Sequence, residues 1–227
     1  AFSTATGAGA VAEGGQSTAT GYSSTAGADY ATAAGGFSEA TANFSTALGY
    51  GTNASAANAT AVGVGAAASG TSAVAVGSSA NASVASGVAV GGSSQATGTN
   101  GTAVGGSSRA TGANTTAVGQ FAWATAVGTT AMGRDSFAYG QNATALGLSA
   151  WANGVNSVAL GAGARAPEEG VVSIGNGTGA GGFPATRRIT NLAPGINATD
   201  AVNRAQLDAV AEVAESTSKY FTATGGA

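Results

Sequence analysis

Apolar and small residues recur along this chain with a strict period of fourteen residues, and a glycine marks every unit. The series is Gly7, Gly21, Gly35, Gly49, Gly63, Gly77, Gly91, Gly105, Gly119, Gly133, Gly147, Gly161 and Gly175. A strict short period means that each unit repeats the same backbone path and contacts only its neighbours. The pattern therefore predicts a solenoid rather than a globular domain.

Within each unit, residue types alternate over the five residues before the glycine, which is typical of a β-strand. Thr or Val lies three positions before it, Ala lies two before it in nearly every unit, and an aliphatic residue lies one before it in the later units. Small residues after the glycine predict a second short strand. The turns are rich in Gly, Asn and Ser, as at Asn100-Gly101 and Asn142, and these residues tolerate positive φ. Stacked units should form parallel ladders about 4.8 Å apart.

Side-chain volume indicates which columns face inward. Methyl groups alone would leave the space between two strands unfilled, so we expect the Thr/Val and aliphatic columns to fill it. The Ala column two positions before each glycine should then face outward and pack against further copies of the rod, which would also stabilise so thin a roll. The candidate packing residues are Ala61, Ala75, Ala89, Ala103, Ala117, Ala145 and Ala159.

The column four positions after each glycine lies between two inward small residues, so its side chains should point outward. Five consecutive rungs of this column carry Arg109, Trp123, Phe137, Trp151 and Arg165. The order favours stacked aromatic rings flanked by guanidinium groups. Two interpretations stay open: a ladder that packs on itself or on a neighbouring chain, and an exposed adhesive stripe that binds a ligand.

Composition argues against an enzyme. The 227 residues include no His and no Cys, 7% are charged, and the net charge is −3. Without His, neither the general base of solenoid acyltransferases nor a Ser/His/Asp set is available. The turns lack the Asp of calcium-binding repeats, and Glu168-Glu169 indicate a solvated loop rather than a catalytic pair. We expect no cofactor and no metal, and so small a charge does not favour nucleic acid as a partner.

The fourteen-residue period ends after Gly175. Residues 176–186 indicate an irregular connector, and Thr199-Asp200 supply an N-cap signal for a helix from about Ala201. The helix should carry a short coiled-coil seam with spacings of three and four: Leu207, Val210, Ala214, Thr217 and Phe221. Because so short a helix is marginal unless it pairs with others, the seam supports an oligomer independently.

The repeats resemble the head repeats of trimeric autotransporter adhesins of the Yersinia-adhesin (YadA-like) type. The family's head motif, Asn-Ser-Val-Ala-Ile-Gly, is nearly matched by residues 156–161 and approached by residues 142–147 and 58–63. The segments 188–192, 200–203 and 205–207 are similar to the family's neck. By this resemblance the neck residues are Arg187, Arg188, Leu192, Asp200, Val202, Asn203, Gln206 and Leu207. The two arginines would tie the neck of one chain to a neighbour.

The resemblance implies an all-β, left-handed parallel β-roll: a single-stranded solenoid with a 14-residue repeat and two short strands per turn, assembled as a homotrimer and followed by a neck and a short coiled-coil helix. The expected division is a head over residues 1–176, a connector and neck over 177–206, and the start of a stalk over 207–227. The chain opens in mid-repeat and contains no stretch of about 20 apolar residues that would cross a bilayer. We therefore interpret it as part of the extracellular passenger of an outer-membrane protein on a bacterial cell surface.

The leading functional hypothesis is a surface adhesin that binds an extracellular-matrix protein or a host-cell receptor. A stiff rod that repeats the same side chains adds weak contacts through multivalency. The alternative is a passive spacer that holds another domain away from the cell. Ice binding is disfavoured, because the Thr column alternates with Val and the outward column is expected to be Ala. Binding by this chain alone would separate the adhesin from the spacer.

Overall fold

The computed structural model describes residues 2–224, with side chains described to residue 217. Two parallel sheets build the first part of the chain, and each turn of the solenoid contributes one strand to each sheet. The long-strand sheet contains thirteen strands: β1 Thr4–Thr6, β3 Thr18–Thr20, β5 Thr32–Ala34, β7 Thr46–Leu48, β9 Thr60–Val62, β11 Val74–Val76, β13 Val88–Val90, β15 Thr102–Val104, β17 Thr116–Val118, β19 Thr130–Met132, β21 Thr144–Leu146, β23 Val158–Leu160 and β25 Val172–Ser173.

The short-strand sheet contains twelve strands of two residues each: β2 Val11–Ala12, β4 Thr25–Ala26, β6 Glu39–Ala40, β8 Asn53–Ala54, β10 Ala67–Ala68, β12 Asn81–Ala82, β14 Gln95–Ala96, β16 Arg109–Ala110, β18 Trp123–Ala124, β20 Phe137–Ala138, β22 Trp151–Ala152 and β24 Arg165–Ala166. Every strand pairs with the strand one turn away, fourteen residues on, as in the pairs Val74↔Val88 and Gln95↔Arg109. The parallel solenoid with two short strands per turn is therefore confirmed.

The inward and outward assignment of the columns is wrong. The structure buries completely, within a single chain, the alanines predicted to face outward: Ala61, Ala75, Ala89, Ala103, Ala117, Ala145 and Ala159. The Thr/Val and aliphatic columns on either side of them point out of the roll and are half-buried or exposed. These alanines therefore form the core of one chain and cannot be the surface on which another chain packs.

The physical reason is the narrow space between the two sheets. Both sheets contribute alanine methyl groups to one continuous core, and the largest side chains buried to below 2% in the described residues are threonines. Serine and threonine in this core satisfy their hydroxyls locally, as Ser157 does by donating to the carbonyl of Gly154 at 2.6 Å. This interior accepts side chains up to the size of threonine, and no Val or Leu is fully buried among the described residues.

The predicted turn chemistry is confirmed at the asparagines. Asn100 has φ 56° and Asn142 has φ 55°, both in the left-handed region that Asn tolerates. Their side chains also bridge to the same position of the next turn. The amide of Asn100 donates to Asn114 Oδ1 at 3.0 Å, and that of Asn142 donates to Asn156 Oδ1 at 3.1 Å. These amides therefore join successive turns as well as shaping them.

The chain divides into two compact units, the first ending at Thr186 and the second starting at Arg187. At the end of the first unit, Asn176 is buried and closes the last turn. Its Nδ2 donates to the carbonyl of Ala180 at 2.9 Å, and its Oδ1 accepts from the amides of Thr178 and Gly179. A short 3₁₀ helix, Ala180–Gly182, follows. The finer division of the chain at residues 176 and 206 stays a prediction.

The second unit contains the helix α1, Arg204–Thr224. The predicted N-cap at Thr199-Asp200 is wrong, because the helix begins after Asn203. Asn203 Oδ1 accepts from the amide of Gln206 at 3.2 Å, and Gln206 Oε1 accepts from the amide of Asn203 at 3.3 Å. This reciprocal pair is a capping box, which satisfies two backbone donors at the start of the helix.

Leu207 and Val210 of the predicted seam are exposed in the single chain, as are Ala214 and Thr217, while the side chain of Phe221 lies outside the described residues. An apolar row left uncovered on one helix is what a coiled-coil partner would bury. None of the helices in residues 2–224 combines the length and the apolar character that a bilayer crossing requires.

Candidate ligand-binding surface

The outward column of the short-strand sheet carries the candidate ligand-binding residues. Arg109, Trp123, Phe137, Trp151 and Arg165 each occupy the first position of a two-residue strand and pair in register with the next. The second position of each strand is an alanine buried in the core. The predicted outward direction is therefore correct, and the five side chains lie on one face of the roll.

The N-terminal half of this column, from Arg109 to Phe137, is a packed ladder. The guanidinium of Arg109 lies 4.7 Å from the ring centroid of Trp123, and the Trp123 and Phe137 rings meet edge to face at 5.4 Å. The Nε1 of Trp123 is covered and has no hydrogen-bond partner among the described residues. Because the covered indole nitrogen is not accessible to a ligand, Trp123 contributes to packing more than to recognition.

Tyr139 joins the ladder, although the sequence analysis missed it. Its ring stacks on Phe137 at 5.9 Å and meets Trp151 edge to face at 6.4 Å, so that it links the two halves of the column. Burial raises the pKa of the Tyr139 hydroxyl above its ordinary value, and the positive charge of Arg109 partly opposes this rise. Tyr139 lies two residues after Phe137, so strand alternation could have placed both on the same face.

The C-terminal end of the column, at Trp151 and Arg165, is more open. Trp151 keeps 38% of its surface exposed, and the guanidinium of Arg165 lies 4.9 Å from its ring centroid. Arg165 is exposed and forms no ion pair with a side chain in residues 2–217, where the ion pairs join Arg134 to Asp135 and Arg204 to Asp208. The accessible chemistry therefore concentrates at Trp151 and Arg165, not evenly over five rungs.

A cavity of about 350 Å³ opens beside these two residues. Its lining is Trp151, Asn153, Arg165, Pro167, Ser173, Asn176 and Gly177. The repeat pattern predicted Trp151 and Arg165 as site residues but not the other lining residues. Asn153 and Pro167 follow their column residues by two positions, so alternation could have found them, whereas residues 173–177 belong to the segment where the repeat ends.

The outer face of the long-strand sheet carries one Thr/Val column and one largely aliphatic column, and it is uncovered in the single chain. Its aliphatic column includes Leu48, Met132 and Leu160, which expose 36%, 44% and 47% of their surfaces. Contiguous exposed apolar surface of this kind marks an interaction site. This face, opposite to the aromatic column, takes the place of the alanine column as the candidate packing surface.

Two further aromatic groups lie at the turns of the first units and were also missed. Tyr22, Phe37 and Tyr50 form an edge-to-face series with centroid distances of 5.3 and 5.6 Å, and Tyr30 stacks on Phe44 at 4.9 Å. All five are exposed. Tyr30 and Phe44 are fourteen residues apart and Phe37 is offset by one residue from that spacing relative to Tyr22 and Tyr50, so the period of the repeat gave a signal for both groups.

In the second unit, four predicted neck residues take part in one network. Asn203 Nδ2 donates to the carbonyl of Leu192 at 3.1 Å, and Gln206 both accepts from and donates to the backbone of Gly195. Asp200 accepts from the amides of Ile196 and Asn197. Of the other predicted neck residues, Arg188, Val202 and Leu207 are exposed, and Arg187 is half-buried.

Comparison with family models gives matches over nearly the whole chain. The model described as YadA head domain repeat (2 copies) matches eleven segments, most of them overlapping, the first beginning at residue 1 and the last ending at residue 178. The model described as coiled stalk of trimeric autotransporter adhesin matches residues 188–226. No curated protein matches the chain. Among solved structures, the collagen-binding domain of the Yersinia adhesin YadA is 26% identical, with a TM-score of 0.48, over 93% of this chain and 98% of that one.

A parallel solenoid of fourteen-residue turns, followed in the sequence by a helix, defines a structural or adhesive repeat protein. The chain belongs to the YadA-type family of trimeric autotransporter adhesins, as the matched head and stalk models together show. The family resemblance predicted from the motif at residues 156–161 and from the neck is thus confirmed.

Proposed function

We propose that this chain is the head of a bacterial surface adhesin that attaches to host cells or to extracellular matrix through multivalent contacts. Membership of the family supports the adhesin class, since its members are surface-exposed passengers of outer-membrane autotransporters. The observation that carries the proposal is the cluster of Arg109, Trp123, Phe137, Trp151 and Arg165 on one outer face of the roll. Exposed aromatic and arginine side chains are typical binding anchors.

The two outer faces differ in a way that suits this role. The aliphatic face of the long-strand sheet would be covered by two further copies of the chain, in place of the buried alanines. The aromatic face of the short-strand sheet would remain outside the homotrimer and be presented three times. Three copies of a weak site on one stiff rod raise the overall avidity without any new contact.

The proposal is tested by binding of this chain to collagen, fibronectin, laminin and epithelial cells, with the double variant Trp123→Ser and Trp151→Ser beside the parent. We expect the variant to keep its oligomeric mass but to attach more weakly by at least about tenfold, because it loses the exposed anchor Trp151 and the ring of Trp123 that packs in the same ladder. The matched control is Tyr22→Ser with Tyr50→Ser, which removes two aromatic rings from the turns instead.

Three results would count against the proposal. If the parent chain binds none of the four targets, the passive spacer becomes the better account. If the tryptophan variant loses its oligomeric mass, the column serves assembly rather than attachment. If both double variants weaken attachment equally, general surface hydrophobicity accounts for binding and the column has no special role.

A further inference from the structure

The cavity at the C-terminal end of the aromatic column, beside Trp151 and Arg165, has the features of a small-molecule site. Its volume of about 350 Å³ lies within the range of ligand pockets, roughly 300–1,000 Å³. Trp151 and Arg165 occupy successive rungs of the short-strand sheet, and Asn153 and Pro167 lie beside them on the same two turns. Asn176, held at both ends of its amide by backbone groups, fixes the far wall.

The charge in this cavity is unbalanced. Arg165 forms no ion pair within residues 2–217, although Glu168 and Glu169 follow it closely in the sequence. A guanidinium held against an indole ring keeps its fork of donors free for an anion, and carboxylates match that fork with two parallel hydrogen bonds. The cavity therefore favours a ligand that carries a carboxylate.

The remaining walls favour a ring that bears hydroxyl groups. Trp151 and Pro167 offer flat apolar surface, while the side-chain amide of Asn153 makes no hydrogen bond within the described residues. That amide offers both a donor and an acceptor, which is what a hydroxyl group needs. The carboxylate side chain of a peptide would use Arg165 but would leave the apolar wall and the Asn153 amide without partners.

We propose that this cavity binds a carboxylated sugar residue, held by Arg165 at its carboxylate, by Trp151 and Pro167 on its apolar face and by Asn153 at a hydroxyl. The inference rests on the proposed adhesive function and names the ligand class for one end of the same surface. The N-terminal end of the column lacks this arrangement. Trp123 is packed, Thr125 follows it in the place of Asn153, and Thr111 follows Arg109 in the place of Pro167.

Titration of this chain with defined oligosaccharides, followed by ligand-observed NMR and calorimetry, tests the proposal. Sialyllactose and a hyaluronan oligosaccharide distinguish a sialic acid from a uronic acid as the source of the carboxylate. We expect at least one of them to bind, and lactose to bind at least about tenfold more weakly because it lacks the charged group. Equal binding of lactose and the carboxylated sugars would overturn the assignment, as would no binding of either carboxylated sugar.

Variants locate the site. Arg165→Gln should weaken sugar binding by about tenfold or more, whereas Arg134→Gln removes an exposed cation that lies outside the column and should leave sugar binding unchanged. Equal loss in both variants would show nonspecific attraction to positive charge. Tighter binding of a short glutamate peptide than of either sugar would indicate a protein ligand and overturn the proposal.

Failure of this inference is distinguishable from failure of the adhesive function. Attachment of the chain to cells without any binding of carboxylated sugars leaves the adhesin intact and removes only the sugar site. Sugar binding without attachment to cells or matrix would contradict the adhesive function and retain the cavity as a binding site.

Discussion

Gly105 and Gly119, one turn apart, stack so closely that neither could carry a side chain in place. A Cβ on Gly105 would lie 2.6 Å from both the carbonyl carbon and the carbonyl oxygen of Gly119, and Gly105 has φ 127°. The conformation is one that L residues rarely adopt, and the space is already filled by backbone. Both constraints recur at the equivalent glycine of every turn from Gly7 to Gly147, which explains why the glycine period does not slip there.

We expect Gly105→Ala to lower the free energy of unfolding by about 2–4 kcal/mol, since it adds backbone strain to overpacking against the next turn. Gly106→Ala is the matched control, because a Cβ there would meet only the carbonyl oxygen of Gly92 at 3.9 Å. Thermal and chemical unfolding at fixed protein concentration measure both variants. Equal stability of the two variants would contradict the proposed role of the glycine column.

Ala117→Val tests the corrected orientation of the core. Ala117 is fully buried inside one chain, so two added methyl groups should cost about 1–3 kcal/mol in the free energy of unfolding. The control is Thr116→Val, on the same strand but pointing out of the roll, which should change stability little. A stable Ala117→Val variant with weakened self-association would instead favour the outward alanine column.

Sequence alternation divided each strand correctly into two faces, but it could not say which face is inside. Ordinary packed sheets lie about 10 Å apart, a gap that the methyl groups of Ala103 and Ala117 would not fill. A core with no fully buried side chain larger than Thr requires less space, so small residues fill it. The rule that large apolar residues lie inside therefore fails for a roll this thin.

The candidate-site residues that belong to the repeating column could be predicted from the sequence, and the other site residues could not. Arg109 to Arg165 share a single position of the repeat, so the period alone placed them on one face. The cavity also needs Ser173, Asn176 and Gly177, whose places depend on how the chain leaves the last turn. No periodic rule applies there, because the repeat has ended.

The apolar face of the long-strand sheet leads to a prediction about assembly. Val118 points out of the roll on this face, and we expect Val118→Asp to shift the chain from trimer to monomer, because a charge would be buried between copies. Gln95→Asp places the same carboxylate on the opposite sheet and should leave the oligomer unchanged. Sedimentation or light scattering gives the mass, and a trimer that survives Val118→Asp would place the interface on another surface.

Acid should loosen the turn that precedes the helix in the second unit. The carboxylate Oδ2 of Asp200 accepts from the amides of Asn197 and Ile196, each at 2.9 Å, and these hydrogen bonds hold the pKa of Asp200 below its ordinary value. A lowered pKa in the folded state means that the turn is stabilised above the ordinary pKa of about 3.9 and loses that stabilisation as the pH falls through the lowered value. Amide chemical shifts of Ile196 and Asn197, followed from neutral to strongly acidic pH, measure this change.

Asp200→Asn retains an oxygen that can accept from the same amides but cannot titrate, so the shifts of Ile196 and Asn197 should become independent of pH. Asp208→Asn is the control, because Asp208 pairs with Arg204 on the exposed side of the helix and does not contact this turn. It should leave the acid transition of the two amides in place. A transition that persists in Asp200→Asn would assign the titration to another carboxylate.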